Sequence, residues 1–324
     1  MASPLLARPG AVPADPPDAG VASHYGDPLR EQKLLARGEA MVDLSHFGVV
    51  RVTGPDRLPW LHSLTTQHLS ALPPGAPTEA LVLSPHGHVE HHLRVVDDGA
   101  ATWLVVEPGT AAALVEFLSS MRFLLRVEVA DVTADWAVVR SFAGLDGRVG
   151  TGVEVRRVGD FALVPRASLV ACASAAGALA GVAAYDALRV AAGEPRLGRD
   201  TDHRTIPNEV GWIERAVHLD KGCYRGQETV ARVHNLGRPP RRLVRLHLDG
   251  VAETLPATGT AVELDTGRVG FVGTAVRHFE LGAVALALVK RTVPVDAVLR
   301  VGPSAAAQDV LVSPDAGLGI RARL

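Results

Sequence analysis

The segment from Asp220 to Glu228, DKGCYRGQE, gathers the residue types of thiol chemistry into nine positions. Cys223 is one of two cysteines in 324 residues, and Lys221 and Arg225 flank it. The text that follows, GQETVARVH, reads as a helix starting near Gly226. That places Cys223 just before a helix N-terminus, where unsatisfied N–H groups and the helix dipole favour an anion. With two cations close in sequence, these are the conditions that lower a thiol pKa and supply a thiolate for nucleophilic or redox work. Gly222 and Gly226 permit positive φ or a close approach to a ligand. Glu228 and Arg232 stand at i,i+4 and can pair on the helix surface. The competing reading of Cys223 is a small buried hydrophobe. A metal centre there lacks a second Cys or His at ligand spacing. Cys172, inside an Ala-rich run, reads as structural.

Two other clusters carry charge or ligating atoms. His86, His88, His91 and His92 lie around HGHVEHHLRVV. On an extended strand His88, Glu90 and His92 share one face, and two His plus a carboxylate can bind a divalent ion. Successive residues on one strand converge poorly on a single ion, so a cleft-lining strand is preferred and no metal is expected. Arg238, Arg241, Arg242 and Arg245 form a basic cluster, read as solvated charge. The formal charge of −2 provides no global field for nucleic acid, which is not expected as a direct ligand.

These residues need elements to hold them. MVDLSHFGVVRVTG alternates apolar and polar residues up to Gly54, as a strand followed by a turn does. Asp56 can cap a helix reaching about His68, and Thr110 opens another through about Leu125. ALVLS and HVEHHLRVV are strands around Pro85-His86-Gly87, with TWLVV a third. DWAVVRSFAG and DFALVP read as short strands with Gly turns. AAYDALRVAAG is a helix ended by Gly193. Beyond Pro239-Pro240 the text reads as strands, LVRLHLDG, TAVELD, RVGFVGTAVRH and AVALALV, forming a small antiparallel barrel or sandwich.

A chain of this length and 47% hydrophobic content exceeds one core and implies two or three subdomains. The expected division is a disordered lead-in at 1–23, a discontinuous lobe at 24–126 and 183–237, an α+β lobe at 127–182, and a β-barrel at 238–324. The lead-in is rich in Pro, Ala and Gly, carries Asp15 and Asp18, and lacks a signal-peptide core. Residues 167–184, ASLVACASAAGALAGVAA, are as long as a membrane span. Their small residues gain little in lipid, so a soluble helix and turn is expected, with no membrane association. Two cysteines cannot build a disulfide framework or a four-cysteine cluster site, which fits a reducing cytoplasm.

KGCYRGQETVAR closely resembles the K-G-C-Y-x-G-Q-E signature of the YgfZ-type folate-binding proteins, relatives of the glycine-cleavage aminomethyltransferases that support iron–sulfur enzymes. GDPLREQKLLARGEAMVDLSHFGVVRVTGPDRLPWLHSLTTQHL is similar to the opening of that superfamily, and RLGRDTDHRTIPNEVGW to its central linker. The resemblance covers most of residues 25–240. It implies an α+β, multi-lobed fold around a central cleft with a C-terminal antiparallel β-barrel. It also implies tetrahydrofolate, or a folate-like small molecule, as cofactor, with iron–sulfur enzymes or assembly factors as partners. Cys223 would supply the reactive thiolate and Lys221 would tune it. Tyr224 would lie near the ligand, Gly222 and Gly226 would shape the turn, and Gln227 and Glu228 would hold the loop or orient Arg232. Glu209, at the family's linker Glu, would be an acidic contact, with a solvated loop acid as the alternative.

Two departures matter. His91 and His92 stand where the transferases carry paired Asp residues, and a near-neutral imidazole cannot replace a fixed negative charge beside a cationic amine. That argues against glycine-cleavage chemistry and leaves turnover open. LRVAAG puts Ala191 where the transferases place a Glu on the pterin, removing a charge-assisted pair. The alternatives are a folate-dependent aminomethyl or methyl transferase and a binding protein associated with tRNA modification.

Overall fold

MVDLSHFGVVRVTG forms two strands rather than one, because the chain turns at Asp43. The Asp43 carboxylate accepts the Ser45 N–H at 2.9 Å, and Phe47 N–H bonds back to Leu44 at 2.9 Å. The two halves then enter different sheets. The structure, a computed structural model, describes residues 1–140, 153–235, 237–251, 253–265 and 267–317.

In chain order, β1 (Val12–Pro13) and β2 (Ala22–His24) form a ribbon ahead of α1 (Pro28–Ala36). Asp27 caps α1 by accepting from Leu29 and Arg30, with Pro28 at the first helical position. There follow β3 (Ala40–Asp43), β4 (Gly48–Thr53), α2 (Arg57–Leu64), β5 (Pro77–Leu83), β6 (Val89–Asp97), β7 (Ala101–Val106) and α3 (Ala111–Ser120). Both helices stop short of the predicted ends at His68 and Leu125. Next come β8 (Glu128–Asp131), β9 (Trp136–Arg140), β10 (Arg156–Val158), β11 (Phe161–Pro165), α4 (Leu169–Ala176), β12 (Ala178–Ala180) and α5 (Val182–Ala192). One sheet runs β10-β11-β9-β3-β12, and another β5-β6-β7-β4-β8. The Ala-rich run is thus a helix followed by a short strand that pairs parallel to β3.

The remaining elements are α6 (Ile213–Ala216), α7 (Gln227–Asn235), β13 (Arg241–Leu248), β14 (Ala261–Leu264), β15 (Gly267–His278), β16 (Gly282–Lys290), β17 (Leu299–Val301) and β18 (Ser304–Val310). The last strands close into an antiparallel barrel in the order β13-β16-β15-β14-β17-β18. Its core is small and β-branched, with Val244, Val262, Val272, Val289 and Val301 buried. The Gly turn expected at 141–144 and the end of the barrel segment, 318–324, lie outside the described residues.

The chain divides into two compact units, residues 1–80 with 91–185, and residues 81–90 with 186–324. The expected lobes follow different boundaries. The first 23 residues do not behave as a disordered lead-in. Leu5 is 1% exposed and packs with Met41, Val139, Leu169 and Cys172, and Val21 is also buried. Composition misjudged this stretch because a few apolar side chains suffice when a prepared cavity receives them. Cys172 is buried in that cluster, as expected of a structural cysteine, and burial raises its thiol pKa.

Candidate functional site

The signature loop alternates between core and solvent. Lys221 and Tyr224 are buried, while Gly222 and Cys223 are exposed. Tyr224 joins Leu83, Val89, Trp212, Val217 and Val230 in one apolar cluster, which fixes the loop from beneath. α7 then starts at Gln227, whose N–H bonds to the Tyr224 carbonyl at 3.2 Å. The thiol therefore stands in solvent on an anchored loop ahead of a helix N-terminus, and the reading of Cys223 as a buried hydrophobe does not hold.

Two glycines lock this loop onto the turn between β5 and β6. Gly226 has φ of +80°, and a Cβ there would sit 2.5 Å from the Ser84 carbonyl oxygen. Gly87, also at positive φ, would place a Cβ 2.6 Å from that of Thr229. Only glycine lets the backbones approach this closely. Gly222 carries no such constraint, since its φ lies outside the left-handed region and a Cβ would meet nothing within 4 Å.

Lys221 is 7% exposed, and its Nζ lies 5.0 Å from the centre of the Tyr224 ring, a cation–π distance. Burial pulls its ammonium down from the usual lysine range to about 8. The same burial pushes the Tyr224 phenol up to about 12, so it stays a hydroxyl at neutral pH. Arg225 is directed to Glu90, which it grips through both guanidinium nitrogens at 3.0 and 3.2 Å. Glu90 was not among the expected site residues; its only signal was a lone acid between histidines. Gln227 is half-buried at the start of α7, and Glu228 is exposed. The expected pair between Glu228 and Arg232 does not form among the described residues.

Glu209 is fully buried, neither the solvated loop acid nor a carboxylate free for a ligand. Arg241 donates to both its oxygens at 2.8 Å, and the second also accepts the Ile206 N–H at 3.1 Å. Arg241 bonds Asp202 as well, at 2.6 and 3.1 Å. Burial opposes ionisation of Asp202, but the bonds from Arg241 prevail and hold its carboxyl down at about 2. The other arginines of the basic cluster are engaged too. Arg238 pairs with Asp315 at 3.0 Å and Arg245 with Asp309 at 2.6 Å, while fully buried Arg242 bonds Gln308 at 2.7 Å. Arg238 keeps the solvated character expected of the cluster, since both it and Asp315 are exposed, whereas Arg241, Arg242 and Arg245 are committed to partners within the chain, which corrects that reading for these three.

Ala191 lies near the end of α5, where Gly193 supplies the positive φ of a Schellman turn. Gly193 N–H bonds Val190 and Glu194 N–H bonds Arg189. Arg189, which has no counterpart among the expected site residues, is 1% exposed and reaches Asp186 at 2.6 Å and Asp200 at 2.7 Å. Burial alone would raise the pKa of Asp200, but Arg189 and the N–H groups of Arg196 and Thr274 outweigh it and lower it. Gly273 makes room for that contact, because a Cβ there would fall 2.4 Å from Asp200 Oδ1.

The histidines go separate ways. His86 and His88 are exposed and half-exposed, with rings 6.2 Å apart, while His92 is buried and bonds Glu79 at 2.8 Å. Burial draws His91 down to about 4, so both residues at the paired-acid positions are neutral at pH 7. Among the described residues no group of three His, Cys, Asp or Glu side chains is placed to hold a metal. No helix there is long and apolar enough to cross a membrane.

As for tetrahydrofolate, the acidic anchors expected for a pterin do not fit, since Ala191 has no carboxylate and Arg241 holds both oxygens of Glu209. What the loop offers is an exposed thiol and, two residues before it, a buried amine.

Residues 24–142 match the family described as the GCVT N-terminal domain, which supports a place in the GcvT-like superfamily. A chloroplast protein of Arabidopsis thaliana named as a transferase is 27% identical over 82% of this chain and 69% of its own. The mitochondrial iron–sulfur cluster assembly factor IBA57 homolog of Mycosarcoma maydis is 24% identical over 64% of this chain and 56% of its own. The tRNA-modifying protein YgfZ of Edwardsiella ictaluri is 34% identical over 42% of each chain. The glycine cleavage system aminomethyltransferase T of Bartonella henselae superposes with a TM-score of 0.79 over 94% of both chains at 18% identity. The fold is that of the aminomethyltransferases.

Proposed function

We propose that this protein supports the assembly or repair of iron–sulfur enzymes, with the Cys223 thiolate as its working group. The observation that carries the reading is the pairing of an exposed thiol with a buried ammonium on one glycine-locked loop. Likeness to an iron–sulfur cluster assembly factor and a tRNA-modifying protein supports the same direction.

In this reading Lys221, still mostly protonated at pH 7, lends positive charge to the loop that carries the thiol. The thiolate can then ligate exposed iron of a damaged cluster, the cluster being cargo. Tyr224 and Val230 hold the loop from below, and the turn at Gly87 fixes its approach. The neutral His91 and His92 argue against aminomethyl transfer at a paired-acid site. The internal bonds of Arg241, Arg242 and Arg245 argue against a direct tRNA surface at this cluster. Tetrahydrofolate remains the ligand the resemblance implies, and the thiol chemistry proceeds without it. Two unpaired cysteines suit a reducing compartment such as the cytoplasm.

The test is support of an iron–sulfur enzyme in cells that lack this protein. Cys223→Ala should abolish that support while Cys172→Ala retains it; full support by Cys223→Ala would sink the thiol reading. Calorimetry with tetrahydrofolate, on the native protein and on Ala191→Glu, tests the ligand separately. Binding that appears only in Ala191→Glu would show that the carboxylate was the missing element.

A further inference from the structure

A cleft of about 690 Å³ opens beside the approach to the thiol loop, within the same unit. It is bordered by α6, by residues 218–220 and by the chain that leaves β18. His218, Leu219 and Asp220 lead directly into Lys221, so the lining and the cysteine loop are one run of chain. Asp220 is three residues from Cys223, at most about 11 Å of backbone.

The lining has an apolar floor and a polar rim, the anatomy of a protein–protein interface rather than of an enclosed small-molecule pocket. Ile213, Leu311 and Ala316 form the floor. Each keeps part of its surface in solvent and packs against the core cluster that holds Tyr224. The floor and the cysteine loop therefore stand on one core. Leu219, 41% exposed, adds an apolar side chain to the rim.

The fixed charge on the lining has one sign. Glu214 and Asp220 are exposed, and neither side chain has a partner among the described residues. Asp315, next to the lining in sequence, is already paired with Arg238 at 3.0 Å. Among the described residues no Lys or Arg lines the cleft, and its His, Asn and Ser side chains carry no fixed charge.

We infer that this cleft docks a short basic segment of the iron–sulfur enzyme that the protein serves. One large apolar side chain of that segment covers Ile213, Leu311 and Ala316, and a Lys or Arg beside it meets Glu214 and Asp220. The inference rests on the proposed support of iron–sulfur enzymes and adds the chemistry of the partner. A segment bound here carries its enzyme within reach of Cys223. An acidic segment would meet two carboxylates, and a purely polar one would leave the floor wet.

The experiment is fluorescence anisotropy of the full chain with three short labelled peptides of equal length, built from leucine and lysine, leucine and glutamate, and serine and lysine. The leucine–lysine peptide should bind with a Kd below about 100 μM, and the other two at least about tenfold more weakly. Glu214→Lys combined with Asp220→Lys, both at exposed positions, should weaken the leucine–lysine peptide about tenfold or more. Glu116→Lys, at an exposed acid of the other unit, should leave it unchanged. Cys223→Ala should bind the peptide as the native protein does, so the docking is read apart from the thiol. The inference is overturned if either comparison peptide binds as well, or if Glu116→Lys weakens binding as much as the paired reversal. Leucinamide binding as tightly as the peptide would assign the cleft to a small amine and overturn it too. Loss of enzyme support in Cys223→Ala, with no peptide bound by the native protein, would end the docking inference alone and leave the thiol reading standing.

Discussion

Arg225 and Glu90 form a two-pronged ion pair, at 3.0 and 3.2 Å, that ties the cysteine loop to the start of β6. Both side chains are about a third exposed, so the pair contributes under about 1 kcal/mol to stability. Its effect is on position, since it commits the Arg225 guanidinium to Glu90. Glu90→Ala should leave the urea midpoint nearly unchanged and speed iodoacetamide labelling of Cys223 about threefold, as released Arg225 favours the thiolate. Peptide mapping should find Cys172 unlabelled in the folded protein. A slower Cys223 rate in Glu90→Ala would show that the pair exposes the thiol rather than restraining its electrostatics.

Lys221 gives the loop a pH signature. The unfolded chain keeps this proton to about 10.5, whereas burial makes the folded protein release it near 8. Below pH 8 the charge is present in both states and the burial penalty is complete. Between 8 and 10.5 unfolding takes up a proton, so the folded state gains relative stability as pH rises. Lys221→Met should therefore stabilise the protein at pH 7 by about 1–3 kcal/mol, with the gain fading toward pH 10.5. Urea denaturation at pH 7, 9 and 10.5 reads this directly. An equal effect at all three would assign the change to packing.

His91 acts at the acidic end. Its pKa drops from about 6.5 in the unfolded chain to about 4 in the folded one because of burial. As pH falls through that window the unfolded state alone is protonated, so stability declines and the loss is complete below 4. His91→Gln should flatten the decline between pH 6.5 and 4 by up to about 3 kcal/mol. Parallel curves for the native protein and the variant would overturn the assignment.

Glu209 and Asp202 share Arg241 unequally. Glu209 has no exposed side-chain surface, while Asp202 keeps about a third of its own. Glu209→Gln should cost about 3 kcal/mol, since it leaves Arg241 short of a buried partner. Asp202→Asn should cost about 1 kcal/mol or less. The reverse ranking in denaturant titrations would mean that the exposed acid is the anchor.

The helix ahead of Gly193, the helix behind Gly226 and the barrel strands were legible because local signals set them: glycine at a C-cap, apolar periodicity, proline at a boundary. The place of Cys223 just ahead of α7 was legible for the same reason, whereas its exposure was not, since nothing local separates an open thiol from a buried one. The turn at Asp43 was not, because alternation runs unbroken through MVDLSHFGVV and the break depends on one side chain capping the backbone. Glu209, Arg241, Arg242 and Arg245 were misjudged because their partners lie far along the chain, and no local pattern reports a distant partner. Leu5 escaped for the same reason, its pocket being assembled from residues beyond position 40.

Gly273 lets Asp200 touch the backbone of β15, and Asp200 in turn holds Arg189. The linker and barrel are therefore fastened through Thr274, whose N–H bonds Asp200 at 2.7 Å and whose hydroxyl receives Arg189. Pro239-Pro240 marks a change of texture in the text but not a seam along which evolution can shuffle parts. A barrel transplanted without residues 186–200 would lose the carboxylate that its Thr274 N–H requires. A linker transplanted without the barrel would lose the Thr274 hydroxyl that receives Arg189. The two must be inherited as one piece.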